Sequence, residues 1–279
     1  MFDMIPENLE FEVGFESTKM KDKSYVINEN TGEYIGIVGS TFTCESHGNF
    51  FRKVIDTTTE TLSPYQMEGA NIRWKSAHQN GWAMMDMQLP NMSTVITNDF
   101  HKTKILKRII ALHGVNGTCS NIAIFGAIDF FCTNGMITGD HNKVMRKNTI
   151  NFNLDLFAAE LKDSEEDFVS QGTKLQKMMT TPITINVRDF LVDLMKSERN
   201  ADKMNILYNQ EVTNRGRNVF ALYSAFTNYA SYADEQNGFT LRNTGQDTAA
   251  ERMFKREVEV ANWIESDKFK SLIPAQVAA

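Results

Sequence analysis

Nucleophiles, metal ligands and phosphate grips are the side chains that would let this chain do chemistry, and most of the candidates fail on spacing. Cys44, Cys119 and Cys132 are three in number and far apart. A disulfide framework needs an even set and a zinc site needs close pairs, so these read as free thiols. Cys132 closes an apolar run and reads as a small core residue. No Gly-x-Ser-x-Gly elbow is present. His47, His78, His101, His113 and His141 form no His-x-x-x-His pair. A nuclease built from His101, His113 or His141 with Asp129 or Asp140 ranks last, because no spacing demands it. Asp163, Glu166 and Asp167 lack histidine partners and read as a solvated helix face. The glycines at 32, 36 and 39 and at 135 and 139 match neither phosphate-binding fingerprint. The sequence therefore predicts a non-enzymatic, ATP-independent protein with no cofactor and no metal.

One chemical feature remains. The net charge is −6, yet Lys102, Lys104, Lys107, Arg108, Lys143, Arg146 and Lys147 face only Asp129 and Asp140 across the same window. Alternation along a strand would put Lys102, Lys104 and Arg108 on one side. The loop 139–148 would bring the second basic group beside them. Arg73-Trp74-Lys75 places an aromatic between cations on a hairpin arm, and Phe100 sits beside His101 and Lys102. Cations for phosphates with aromatic faces for bases is the combination that single-stranded nucleic acid requires. A sheet edge guarded by lysines would also produce the basic run.

The elements that must position these residues are readable in part. Ser24–Asn28 and Glu33–Gly39 form a hairpin around the turn Glu29-Asn30-Thr31-Gly32. Phe50, Phe51, Val54, Ile55 and Leu62 mark an amphipathic helix within Glu45–Leu62, weakened by Thr57-Thr58-Thr59. A second hairpin, Asn71–His78 and Trp82–Leu89, turns at Gln79-Asn80-Gly81. Met92–Ile96, Thr103–His113 and Ile122–Cys132 read as further strands, the last two separated by Val115-Asn116-Gly117. After Asn151 helical spacing takes over. One long helix or two in tandem end at Pro182, helices follow around Val187–Met195 and Val219–Tyr229, and a last one spans about Thr248 to Glu265.

Segregated strands and helices predict an α+β fold, with a strand-rich N-terminal half of antiparallel hairpins and one inserted helix, followed by an α-helical C-terminal half. The division expected is an arm over 1–20, a β-rich region over 21–150 and a helical region over 151–279, packed on one core. The acidic N-terminus lacks the pattern of a signal peptide, and the apolar stretch Asn121–Met136 is too short to span a bilayer. A cytoplasmic protein without membrane contact is expected.

Two stretches carry a family likeness. Leu112 to Thr149 runs from a turn with Asn116-Gly117-Thr118 through an apolar strand to Cys132-x-Asn134 and a basic close, Arg146-Lys147-Asn148-Thr149. Asn218–Asp234 is a helix pattern of aromatic and small residues. With Tyr34–Gly39 these resemble the phage- and plasmid-encoded "phage/plasmid-like protein" group, a domain of unknown function, over about residues 30 to 235. The histidine expected after Tyr229–Tyr232 is replaced by Ala233-Asp234, so any role for it does not transfer. The resemblance implies a mobile-element setting in a phage-infected or plasmid-bearing bacterial host, in recombination or replication. The architecture is also similar to phage single-strand annealing proteins of the RecT/Erf type, which implies a homo-oligomer that binds and anneals single-stranded DNA without ATP. On that reading Lys102, Lys104, Lys107, Arg108, Lys143, Arg146 and Lys147, with Arg73 and Lys75, contact phosphates, while Trp74 and Phe100 stack on bases. The alternative is a phage factor that binds a host protein through the Met-rich, acidic helical half.

Overall fold

The computed structural model describes residues 5–129, 135–137, 143–146, 152–233 and 248–274. Three antiparallel strands open the chain: β1 (Val13–Ser17), β2 (Lys23–Asn28) and β3 (Tyr34–Gly39), in that order. The β2–β3 turn closes where Asn28 Oδ1 accepts the N–H groups of Asn30 and Thr31, and Gly32 takes a φ of +75°. In the stretch expected to be an arm, Ile5, Leu9 and Phe11 pack into the fold, while residues 19–22 are exposed. Leu9 and Phe11 are buried, and Phe11 shares a core with Val26, Ile35, Val38 and Val115. Leu9 closes a single 3-10 turn (Glu7–Leu9), too short to leave a period to read.

Helix α1 (His47–Thr61) starts on the Ser46 side chain, whose Oγ accepts the Asn49 N–H. Its threonine run stays helical, with Thr58 and Thr59, and Thr61 beyond them, each donating a hydroxyl to the carbonyl four residues back. A single turn, α2 (Pro64–Met67), leads to the large sheet. Its strands are β4 (Asn71–Ala77), β5 (Trp82–Thr97), β6 (Lys102–Gly114), β7 (Asn121–Asp129), β8 (Gly135–Ile137) and β9 (Lys143–Arg146). They are ordered β4-β5-β6-β7, with β8 and β9 following one another along the far edge of β7, and every pairing is antiparallel. The β4–β5 turn places His78, Gln79 and Asn80 at positive φ. Met92–Ile96 belongs to β5 itself, whose register with β6 shifts between Leu89 and Ser93.

The C-terminal half is helical: α3 (Leu154–Thr180), α4 (Val187–Met195), α5 (Glu198–Arg215), α6 (Val219–Tyr232), α7 (Ala249–Glu265) and α8 (Asp267–Lys270). The acidic segment lies within the single helix α3. Helix α5 was not legible, because its buried positions Ala201, Met204, Leu207 and Tyr208 continue into Glu211 and Arg215. One sheet face packs Met85, Ile109, Ala111 and Phe125 against Phe50 and Phe51 of α1 and Phe157 of α3. The other packs Trp82, Met84, Ile110 and Leu112 against Met253 of α7. The remaining helices gather around Ile96 and Ile105 at one end of the β5–β6 ribbon. The fold is α+β, with the sheet held between helices.

Candidate nucleic-acid interface

Strand β6 carries four of the expected phosphate contacts and separates them into two kinds. Lys102 and Lys104 are exposed, whereas Lys107 and Arg108 are 1% and 2% exposed. Arg108 donates from Nε to Asp86 Oδ1 at 2.7 Å and from both terminal nitrogens to the Glu257 carboxylate at 2.9 and 3.2 Å. Burial works against the charge, but the Asp86 and Glu257 carboxylates more than offset it and raise its pKa. Lys107 Nζ points at the Leu161 carbonyl at 3.4 Å. Burial pulls its pKa down to about 8, against the opposing pull of Glu165 and Asp167. Neither cation faces a groove, which corrects the expectation for both. Past Leu106 the strand is covered on both faces, so either parity points inward. Apolar residues on both parities (Ile105 with Leu106, Ile109 with Ile110) are the signal of a central strand, and they were there to be read.

Where β6 outruns β7 the situation reverses. Among the described residues the β6–β7 ladder ends at Ile105 opposite Asp129, and Lys102 and Lys104 lie beyond it on the β5–β6 ribbon, in register with Thr97 and Val95. Val95 is 51% exposed and Phe100, on the connecting turn, is 75% exposed. The tip is held on its other face. Gln176 of α3 accepts the Thr97 N–H at 2.9 Å and donates to the Thr97 carbonyl at 2.8 Å. Asn98 Oδ1 accepts from the N–H groups of Phe100 and His101, while its amide donates to the carbonyls of Met179 and Arg215. Phe100 lies over Gly216, where an added Cβ would meet the ring at 2.9 Å. The result is two cations and an aromatic ring presented by backbone that does not need to be ordered on binding.

The other expected residues do not converge there. Alternation sends Trp74 to the α1 face, where it meets Phe51 edge-on at 5.0 Å, half-buried in that core. Lys75 goes to the α7 face, with Nζ 2.9 Å from the Met253 sulfur. Arg73 is exposed and in register with Asp86. Lys143 and Arg146 pair by backbone with Ile124 and Asn121. The β6 partner of Ile124 is Ile110, six residues from Lys104, or about 20 Å along the strand. Lys147 lies outside the described residues, as do Cys132, Asn134, Asp140 and His141.

Two of the described histidines, His101 and His113, stand about 40 Å apart along β6. Among the described residues no group of three or more His, Cys, Asp or Glu could hold an ion. His101 Nε2 accepts from Arg215 at 3.0 Å. His47 and His113, both fully buried, meet Nδ1 to Nδ1 at 2.8 Å, and His47 Nε2 donates to the Asn80 carbonyl at 2.7 Å. That donation makes His47 Nδ1 the acceptor and His113 Nδ1–H the donor. Burial holds His47 down at about 4 and His113 well below its usual range, so both rings are neutral at pH 7. Burial, with lesser pushes from Glu45 and Glu251, raises the Cys44 and Cys119 thiols to about 12 and leaves them protonated.

No helix of the described residues is long and apolar enough to cross a membrane. Neither the comparison with curated proteins nor that with solved structures found a match. A family model described as "Domain of unknown function (DUF932)" matches residues 36–256, which takes in the large sheet, the ribbon tip and all but the end of the helical half. The chain belongs to this DUF932 family.

Proposed function

We propose that the protein binds single-stranded DNA and promotes annealing without ATP, in recombination or replication of a mobile element. The observation that carries this reading is the β5–β6 tip, where the exposed Lys102, Lys104 and Phe100 lie close in sequence on a ribbon clamped by α3. Cations spaced along a strand suit consecutive phosphates, and a ring with an open face suits an unstacked base. A pair of lysines binds weakly alone, so the reading includes a homo-oligomer in which copies engage one strand together.

The test is binding of a fluorescently labelled single-stranded oligonucleotide, followed by annealing of complementary strands with no nucleotide present. Lys102→Ala/Lys104→Ala should weaken binding by about tenfold at low salt and flatten the salt dependence by about 1.4 in log–log slope. Unchanged affinity and slope in that variant would rule out the tip as the interface. Recovery of one stoichiometric host protein from nuclease-treated lysate, with no oligonucleotide binding, would favour the host-factor reading instead.

A further inference from the structure

The outward face of the small sheet carries a second arrangement that the ribbon tip does not use. Register puts Gly14, Ile27 and Tyr34 in one row, Glu16, Tyr25 and Ile37 in the next, and Lys23 beside Gly39 in the last. Tyr34 and Ile37 are 56% and 54% exposed. Tyr25 and Tyr34 meet at 4.9 Å with their planes 62° apart, and the Tyr34 hydroxyl donates to Glu16 at 3.2 Å. Sheets that face water on one side normally present polar residues there, so rings and aliphatic chains in adjacent rows are out of pattern.

Charge is divided along this face. The β1–β2 connection brings Lys19, Lys21 and Lys23 to one end, all exposed and without an ion pair among the described residues. Asp22 accompanies them, and Glu29 and Glu33 lie at the opposite end. From the lysine end the face runs into an open cleft of about 580 Å³, where Lys23, Ile37, Gly39 and Phe42 oppose the turn Asn116–Ser120. Nothing lies within 4 Å of the Cβ position at Gly39, so the floor there is flat backbone.

We infer that this face is a base-stacking platform for a single strand of nucleic acid, with the Tyr34 ring under one base and Tyr25 bracing that ring edge-on, Lys19, Lys21 and Lys23 along the phosphates, and the cleft beside Gly39 receiving a neighbouring base. The ligand class is that of the function proposed above, while the residues are different ones. Aromatic rings on an exposed antiparallel sheet, edged by cations, bind unpaired bases with little sequence preference. A nucleic-acid strand matches both features at once, its bases meeting the ring face and its phosphates the lysine row.

The full chain is titrated against a labelled thymidine oligonucleotide, with RNA of matching length in a parallel series. Tyr25→Ala/Tyr34→Ala should weaken binding by about tenfold or more, while Tyr25→Phe/Tyr34→Phe keeps affinity within about twofold because the ring face is retained. An oligonucleotide carrying 5-bromouracil should crosslink under ultraviolet light to the peptide holding Tyr25 or Tyr34. If the Tyr→Ala variant folds and binds like the parent, and no crosslink falls on β2 or β3, the platform is refuted. If in the same experiment Lys102→Ala/Lys104→Ala weakens binding, the tip reading survives that refutation. The opposite pair of results keeps the platform and removes the tip. A parent chain that binds neither DNA nor RNA overturns both.

Discussion

Arg108 lies out of water between two carboxylates, each meeting it in near-ideal geometry, so it serves to fasten α7 to the sheet. Removing it leaves Asp86 and Glu257 buried with uncompensated charge. Arg108→Ala should therefore cost about 3–5 kcal/mol in urea unfolding. A loss below about 1 kcal/mol would mean that the guanidinium is not enclosed as described. The histidine pair makes a second prediction at this scale. The folded value of His47 lies at about 4, below its ordinary 6.5, so the unfolded chain takes up the proton first. The His47 contribution to stability is fully present above pH 6.5 and is lost as the pH falls toward 4, by about 3 kcal/mol. His47→Gln should flatten that part of the pH–stability curve, and a curve as steep as the parent's would contradict the assignment. The charge of Arg108 and the imidazole of His47 were legible in the sequence. Their burial was not, because it depends on which strand is central and which helix crosses it.

At the scale of elements, the ribbon tip depends on how closely α3 crosses β5. Gly172 permits that approach, since an added Cβ would lie 2.9 Å from Thr94 Cγ2 and 3.0 Å from its Oγ1. Gly172→Leu gains helix propensity of about 1 kcal/mol, yet overpacks the crossing by more. Net destabilisation of about 1–2 kcal/mol is expected from thermal unfolding, partly recovered by Thr94→Ala. A Gly172→Leu protein more stable than the parent would show that α3 does not press on β5 there. Turn chemistry made both hairpins readable, and the Asn80-Gly81 pair marked the β4–β5 turn. The continuity of β5 was hidden by Pro90 and Asn91, which read as a break but lie at its register shift. Strand β1 was hidden because five residues with little alternation are recognisable only once β2 pairs with them.

For the molecule as a whole, the division into a strand-rich half and a helical half followed from periodicity, and it holds. The expected single basic wall did not survive folding. Lys107 and Arg108 went inward, Trp74 joined the α1 core, and the backbone of Lys143 and Arg146 pairs about 20 to 30 Å along the sheet from Lys104. Lys102 and Lys104 at the β5–β6 tip and Lys19, Lys21 and Lys23 at the β1–β2 turn are exposed, on a chain whose net charge is −6. Attraction to phosphate on this molecule is therefore local, and screening by salt should reduce it strongly. The decisive measurement is fluorescence anisotropy of a labelled single-stranded oligonucleotide titrated with the unmodified protein across a salt series. Saturable binding is predicted, with a log–log salt slope of about −3.5 if Lys19, Lys21, Lys23, Lys102 and Lys104 all meet phosphates. Flat anisotropy at micromolar protein and low salt would contradict the account.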